Sequence, residues 1–156
     1  HQTLLGTFTV GGGTGEAGAA LRWFELRNEG TGWTLYQQGT YDPGDGNDRF
    51  GGSIAMEGSG SIALGFSVSS SAIYPSIHYA TRGPDHPLVT FGNERSLIDG
   101  GGSQTGSNRW GDYSAMSVDP ANHCTFWYTS DPYPRSLLFN WQTEVGGFTI
   151  PTCLSR

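Results

Sequence analysis

The densest group of residues that can do chemistry lies between positions 109 and 113 of this 156-residue sequence. Arg109 can hold a carboxylate through two parallel hydrogen bonds, and the ring of Trp110 can stack on a sugar. Asp112 and Tyr113 follow directly, and such side chains suit the acid and base steps of glycoside hydrolysis. These residue types therefore indicate a binding site or a hydrolase centre for carbohydrate.

Two observations favour a structural role for the same group. On an extended strand neighbouring side chains point to opposite faces, so Asp112 and Tyr113 could not both face one substrate without a bulge. Arg49 also stands 60 residues before Arg109, at the equivalent position of a repeated pattern. Catalytic residues are usually unique, whereas structural residues recur in each copy. We therefore favour arginines that stabilise their own sheet by hydrogen bonds, and keep ligand binding by Arg49 and Arg109 as the alternative.

A second group of candidate ligands lies in the loop at positions 41–48. Carboxylate and amide oxygens at Asp42, Asp45, Asn47 and Asp48 are of the kind that calcium prefers, and the intervening glycines allow a tight turn. The loop lacks the spacing and the terminal glutamate of an EF-hand. The sequence leaves two interpretations open: a bound Ca²⁺ ion, or an acidic surface turn with no cofactor, which we favour.

The two cysteines of the sequence are Cys124 and Cys153, and no Cys-x-x-Cys pair or histidine cluster indicates zinc. A disulfide between them would close a loop of about 30 residues and add roughly 3 kcal/mol to the free energy of unfolding. Two buried thiols are the alternative. We favour the disulfide, and with it a secreted, extracellular location.

Composition narrows the classes of function. Glycine accounts for 25 of the 156 residues, and the segments between the glycine-rich turns contain the β-branched and aromatic types that suit strands. Fourteen acidic residues face eight arginines and no lysine, for a net charge of −6. The arginines are scattered, so a nucleic-acid partner is not indicated. No apolar run reaches the roughly 18 residues of a membrane span.

An internal repeat determines the expected fold. Residues 49–56 and 109–116 share the pattern R-[FW]-G-x-x-x-A-M, and a turn and an apolar strand follow each copy. Four strands per repeat, joined as hairpins, are the unit of a β-propeller blade, whereas two similar hairpins could also belong to a β-sandwich. Besides the repeated segments, the expected strands are 3–10, 21–28, 33–40, 61–67, 76–81, 96–99, 124–130, 137–143 and 145–153.

We therefore predict an all-β chain, an incomplete β-propeller of about two and a half four-stranded antiparallel blades. Residues 1–156 would form one propeller segment, with a partial leading blade at 1–40, a blade at 41–100 and a terminal blade at 101–156. A propeller needs about four to eight blades, so we expect one or more additional chains to complete an oligomeric ring. Uncovered strand edges would also suit assembly by strand pairing.

Two strings, R-W-G-D-Y-S-A-M-S-V-D-P from Arg109 and C-T-F-W-Y-T from Cys124, carry a resemblance to known proteins. They look like the C-terminal part of a family of large secreted bacterial proteins, the sialidase-like (BNR-type) β-propeller proteins. The likeness extends from about Trp33 to Cys153. It implies an extracellular propeller with a terminal disulfide. The Asp-box motif of sialidase blades, S-x-D-x-G-x-x-W, is absent from the sequence.

We expect this segment to act as a structural or binding module, with carbohydrate or a cell-surface partner as its ligand. The alternative is a sialidase-like glycoside hydrolase whose site is shared with blades outside this chain. A geometric criterion separates the two. Hydrogen bonds from both Arg49 and Arg109 within their own blades would favour the module. Convergence of Arg109, Asp112 and a tryptophan on an open central pocket would favour the hydrolase.

Overall fold

Strands account for nearly all of the regular structure. The computed structural model describes residues 1–107, 109–138, 141–151 and 153. Its strands are β1 (Gln2–Gly11), β2 (Ala19–Asn28), β3 (Trp33–Tyr41), β4 (Asp48–Met56), β5 (Ile62–Ser69), β6 (Ser76–Arg82), β7 (Arg95–Ile98), β8 (Ala115–Val118), β9 (Thr125–Ser130) and β10 (Glu144–Thr149). The predicted all-β class is confirmed. Within the described ranges, no helix has the length and apolar character that a membrane crossing requires.

The strands form three antiparallel sheets that follow one another along the chain. The first sheet contains β1, β2 and β3, the second β4 to β7, and the third β8, β9 and β10. Hydrogen-bonded neighbours are always consecutive in sequence, so each sheet is a simple meander. Among the described strands, no sheet therefore contains the crossover connection that the sandwich alternative requires.

Two of the expected strands end their sheets. The strand at 33–40 pairs with β2 and ends the first sheet. The strand at 96–99 pairs with β6 and ends the second sheet. In both cases the strand extends the existing meander, because the preceding strand offers a free edge of backbone donors and acceptors.

The second repeat copy is less regular than the first. Residues 49–56 lie within β4, whereas only the last two residues of 109–116 belong to β8. The expected strand at 145–153 ends at Thr149, and Pro151 and Cys153 adopt helical turns. Residues 139 and 140 of the expected strand at 137–143 lie outside the described part of the chain, and Leu137 makes an isolated bridge with Gln104.

Two apolar clusters hold the sheets face to face. Alternate residues of β5 point to opposite sides of the second sheet, so this strand contributes to both clusters. Each fully buried aliphatic or aromatic side chain stabilises the fold by about 1.5–3 kcal/mol. Between the first and second sheets lie Leu21, Leu64, Phe66, Val68 and Ala80. Between the second and third lie Ala63, Ile77, Met116, Phe126, Tyr128 and Ile150.

The first strands of the three sheets, which we call the leading strands, lie side by side. β1 contacts β4, and β4 contacts β8. The main-chain N–H of Met116 donates to Ser53 Oγ at 2.9 Å, and Ser114 Oγ donates to the carbonyl oxygen of Gly51 at 2.7 Å. Gly51 has a φ of 61° at a β-bulge, a conformation that favours glycine. The bulge exposes the carbonyl group that receives the next sheet.

The last strands of the sheets, which we call the trailing strands, are separated by side chains and by a loop. Residues 83–94, between β6 and β7, fill the space between the trailing part of the first sheet and the second sheet. Val89 N–H donates to Gln37 Oε1 at 3.0 Å, and a Cβ on Gly39 would lie 2.5 Å from Val89 Cγ1. Phe91 packs edge-on against Trp23. This loop therefore packs between the trailing part of the first sheet and the second sheet.

Candidate functional site

Three of the residues expected to bind a ligand, Arg109, Asp112 and Tyr113, line a hollow at the surface of the third sheet. We call it the Arg109 hollow; its volume is about 390 Å³ and its walls include Arg109, Asp112, Tyr113, Asp131 and Trp141. A second recess of about 220 Å³ adjoins it and shares Asp112, Tyr113 and Asp131. The Tyr113 side chain is 89% exposed. The fold therefore brings together carboxylates, a phenol, a guanidinium group and an indole ring at the Arg109 hollow.

The argument that Asp112 and Tyr113 cannot face one ligand is wrong. It assumed an extended strand through position 112, but β8 begins only at Ala115. Residues 109–114 form irregular backbone, so the alternation of strand side chains does not apply to them. Both side chains line the same hollow.

Arg109 is a surface group paired within its own segment. Its guanidinium group, with 68% of the side chain exposed, forms an ion pair with the Asp112 carboxylate. An exposed pair of this kind contributes little to stability, about 0–1 kcal/mol. Because water solvates both partners, the pair can open to accept a ligand carboxylate.

Trp110, the expected sugar platform, is used for packing. Its ring lies 5.2 Å from the Tyr133 ring and meets Phe50, the equivalent residue of the first repeat, edge-on at 6.0 Å. Trp141 instead lines the Arg109 hollow, and its indole N–H donates to Gln104 Oε1 at 3.0 Å. Trp141 and Asp131 were not among the candidate site residues, because neither belongs to the repeated pattern.

Arg49, the partner of Arg109 in the repeat, lies in a buried ionic cluster. The residue is 1% exposed. Its two terminal nitrogens donate to the Asp45 carboxylate at 2.9 and 2.7 Å, and Nε donates to Glu94 Oε2 at 2.7 Å. Glu94 also lies 2.6 Å from His78 Nδ1 and accepts a hydrogen bond from Tyr41. This cluster joins β3, β4, β6 and the residue that precedes β7.

The charges of the cluster shift the pKa values of its members. Hydrogen bonds from Arg49 hold the pKa of Asp45 well below its usual value. Burial opposes ionisation of Glu94, but hydrogen bonds from His78 and Arg49 together with their charge keep the pKa of Glu94 below normal. Burial and the neighbouring Glu94 carboxylate raise the pKa of Tyr41, so its hydroxyl group stays protonated. These are the properties of a stabilising network and not of an activated nucleophile.

Glu94, His78 and Tyr41 were not identified from the sequence. Glu94 is 45 residues from Arg49, and no local spacing relates the two. A buried arginine requires acidic partners, but which acid reaches it depends on how the 83–94 loop folds back.

The four candidate calcium ligands point to different partners. Asp42 accepts hydrogen bonds from the main chain and hydroxyl group of Thr14 at 2.8 and 2.9 Å, and Asp48 accepts from two main-chain N–H groups near β2. Asp45 faces Arg49, and the Asn47 side chain donates to Asp45. Within the described residues, no three acidic, histidine or cysteine side chains form a group that could hold a metal ion.

The expected disulfide is confirmed. Cys124 and Cys153 are bonded, with Cα atoms 5.5 Å apart. Cys124 immediately precedes β9, so the bond attaches the segment after β10 to the start of the central strand of the third sheet. Terminal segments fray unless they are held in this way.

Comparison of the chain with protein-family models, with curated proteins and with solved structures finds no match.

Proposed function

We propose that this chain is an extracellular β-propeller segment that serves as a structural and carbohydrate-binding module. The observation that carries the proposal is the side-by-side arrangement of β4 and β8, which run in the same direction: Gly51 contacts Ser114, and Ser53 contacts Met116. Successive four-stranded or three-stranded meanders whose leading strands adjoin are what radial repetition of propeller blades produces. In a flat stack, leading and trailing strands would be equally far apart from sheet to sheet.

The filled gap at the trailing strands supports the radial arrangement. Val89 and Phe91 occupy the space between the first and second sheets. Between the second and third sheets, Leu97 of β7 reaches Gly146 of β10 through its side chain. Side chains and a loop are needed there, because sheets that are close at their leading strands would leave a space at their trailing strands.

The disulfide and the resemblance to secreted sialidase-like propeller proteins support an extracellular location. Disulfides persist in oxidising compartments, and a disulfide-bonded module of low charge fits that setting. Carbohydrate is the favoured ligand because the Arg109 hollow combines an indole ring with hydroxyl, carboxylate and guanidinium groups.

A spin-label experiment tests the radial arrangement. One pair of labels replaces Phe8 and Ser117 on the first and third leading strands, and a matched pair replaces Gln38 and Val145 on the trailing strands. Diluting labelled chains with unlabelled chains restricts the distances to those within one molecule. We expect a clearly longer distance for the trailing pair. Equal distances would indicate a parallel stack and would overturn the propeller.

A sialidase-like glycoside hydrolase remains the second candidate, because Arg109, Asp112 and Trp141 do meet at one open hollow. Against it, both repeated arginines are engaged inside their own segments, Arg49 with Asp45 and Glu94, and Arg109 with Asp112. Glycan-array binding and hydrolysis of an aryl sialoside separate the candidates. We expect glycan binding that Trp141→Ala weakens and Trp33→Ala, a change at an exposed tryptophan elsewhere, leaves unchanged. Turnover abolished by Asp112→Asn would favour the hydrolase.

A further inference from the structure

One end of the interface between the first and second sheets is charged instead of apolar. On β2, the alternate residues Leu21, Trp23 and Glu25 share the face that meets the second sheet, and all three are buried. On β6, Ala80 is followed on the same face by Arg82, which is only 3% exposed. Both sheets therefore change from apolar to charged side chains where Glu25 and Arg82 line one cavity. Burial of charged groups is costly unless each is paired, so the pairing of these groups decides what the cavity can bind.

The cavity has a volume of about 730 Å³ and opens between the two sheets. We call it the Arg82 cavity; its walls include Glu25 and Arg27 of β2, Tyr36 of β3 and Arg82 of β6. Sites for small molecules occupy about 300–1,000 Å³, so the space suits a ligand of that class. It shares no wall residue with the hollow at the third sheet.

Glu25 and Arg27 neutralise each other within the cavity wall. The Glu25 carboxylate accepts hydrogen bonds from Arg27 Nε and from Gln37 Nε2, both at 2.5 Å. The Arg27 guanidinium group lies 3.4 Å from the centre of the Tyr36 ring, which holds its plane in one orientation. Within the described part of the chain, the two terminal nitrogens of Arg27 donate to no protein acceptor.

Arg82 carries a charge that no carboxylate of the described residues pairs. Its Nε donates to the carbonyl oxygen of Thr90 at 3.2 Å, and Nη2 donates to the carbonyl oxygens of His86 and Pro87 at 3.1 and 3.4 Å. These bonds hold the 83–94 loop and account for two of the three nitrogens. Nη1 donates to no described residue, although the side chain is almost fully buried and lines the cavity. A buried donor without a partner indicates a place for a ligand acceptor.

The balance of charge around Arg82 defines the ligand. The ionised groups that act on Arg82 are Glu25 and Arg27. One carboxylate against two guanidinium groups leaves a single positive charge, which suits a ligand with a single negative charge. Planar nitrogen donors of arginine fit a planar carboxylate well. Glu57, also in the cavity wall, already accepts hydrogen bonds from Ser59 and Ser61 of its own turn.

We propose that the Arg82 cavity binds a small organic acid with one carboxylate group. The carboxylate lies between Nη1 of Arg82 and the terminal nitrogens of Arg27. The body of the ligand contacts the apolar wall residues Leu5, Met56 and Leu88. This site requires only that the first sheet packs on the second, so it does not depend on a propeller or on carbohydrate binding at the third sheet.

Titration of the isotope-labelled, oxidised full chain, followed by amide chemical shifts, tests the site. The two acids are D-glucuronate and cyclohexanecarboxylate, and their uncharged counterparts are methyl D-glucoside and cyclohexanemethanol. We expect at least one acid to shift the amides of residues 54–60 and 82–88, and the uncharged compounds to leave them unchanged. Binding of glucuronate alone would identify a sugar acid as the ligand, and binding of cyclohexanecarboxylate alone would identify an apolar acid.

Three variants locate the bound carboxylate. Arg82→Gln should raise the Kd at least about tenfold, because a hydrogen bond between two charged groups is lost. Leu88 lies in the cavity wall and is 51% exposed, so changes there do not disturb the interior. Leu88→Asp and Leu88→Asn remove the same apolar contact, but only the first adds a negative charge. We expect Leu88→Asp to raise the Kd at least about threefold more than Leu88→Asn.

Arg95→Gln is the control, since Arg95 is exposed and outside the cavity wall, and it should leave the Kd unchanged. Shifts from neither acid, or equal shifts from an acid and its uncharged counterpart, would overturn the site. Equal Kd values for the two Leu88 variants would overturn its location. Tighter binding of inorganic phosphate than of both acids would overturn the carboxylate. Shifts by glucuronate at residues 109–113 instead would support the carbohydrate module and overturn the Arg82 cavity, so the two proposals fail separately.

Discussion

Residues 49–56 and 109–116 are two copies of one sequence pattern that the fold uses differently. In both, the Ala-Met pair lies on a leading strand: Ala55 and Met56 pair with β5, and Ala115 and Met116 pair with β9. The arginines diverge. Arg49 is enclosed with two carboxylates, and Arg109 stands in solvent with one. The Ala-Met pair thus lies on a strand in both copies, and the surroundings determine what each arginine does.

The cause of the divergence is visible in the preceding loops. Asp45, four residues before Arg49, supplies a bidentate partner. The equivalent position before Arg109 is Thr105, which has no charge to offer. Without that acid, burying a guanidinium group would cost several kcal/mol, so Arg109 remains exposed.

Removing each arginine gives the largest test of this contrast. Arg49→Met leaves the carboxylates of Asp45 and Glu94 without their cation, so we expect a loss of about 3–5 kcal/mol in the free energy of unfolding. Arg109→Met should change it by less than about 1 kcal/mol. Urea unfolding followed by tryptophan fluorescence measures both. Similar losses for the two variants would show that the arginines are equivalent after all.

The third sheet depends on a covalent bond where the second depends on the ionic cluster. Replacing Cys124 and Cys153 by serine opens a connection across 29 positions and should lower stability by about 3 kcal/mol. Hydrogen exchange should locate the loss of protection in β8 to β10. If protection from exchange fell equally in all three sheets, the disulfide would not stabilise the third sheet independently of the second.

Packing between the two copies can be tested at Gly65. A Cβ there would lie 2.7 Å from Met116 Cε and 2.8 Å from the Tyr128 ring, so Gly65→Ala should destabilise the chain by about 1–3 kcal/mol. Gly58→Ala is the matched control, since nothing lies within 4 Å of a Cβ at that position. A neutral effect at Gly65 would show that the second and third sheets separate easily.

Acid should affect the first copy more than the second. The pKa values of Asp45 and Glu94 are lowered in the folded chain, so these groups contribute stability above their ordinary pKa values of 3.8 and 4.5. That contribution is lost as the pH falls from about 4.5 towards the folded values. Between pH 7 and pH 3, the free energy of unfolding should therefore fall more steeply with decreasing pH for the wild type and Arg109→Met than for Arg49→Met. Identical pH slopes for all three would contradict the assignment.

The smallest effect is expected from chelation. The oxygens of Asp42, Asp45 and Asp48 are already engaged by separate protein donors. We therefore expect EDTA to leave the thermal midpoint unchanged. A fall in the thermal midpoint that excess Ca²⁺ reverses would contradict this expectation and support a calcium site in the 41–48 loop. Bound calcium would then explain why residues 49–56 are more regular than residues 109–116.

Much of the strand framework could be predicted, and the partners of the site residues could not. The strands at 3–10, 21–28, 33–40 and 61–67 agree with β1, β2, β3 and β5 within two residues. Alternating apolar residues between glycine turns are local signals, and strand formation responds to them. Residues 109–114 belong to the same repeated pattern as part of β4, but they form irregular backbone, and β8 begins only at Ala115.

The sequence by itself determined the all-β class and the approximate strand positions, because short-range alternation is a local signal. It also limited any disulfide to one pair, Cys124 and Cys153, because the chain has only two cysteines. Tertiary structure alone decided that Arg49 meets Glu94, and that Trp141 and not Trp110 lines the Arg109 hollow. Those outcomes depend on which distant segments share a surface. Side chains many residues apart compete for the same buried charge or the same space, and only the packed chain selects among them.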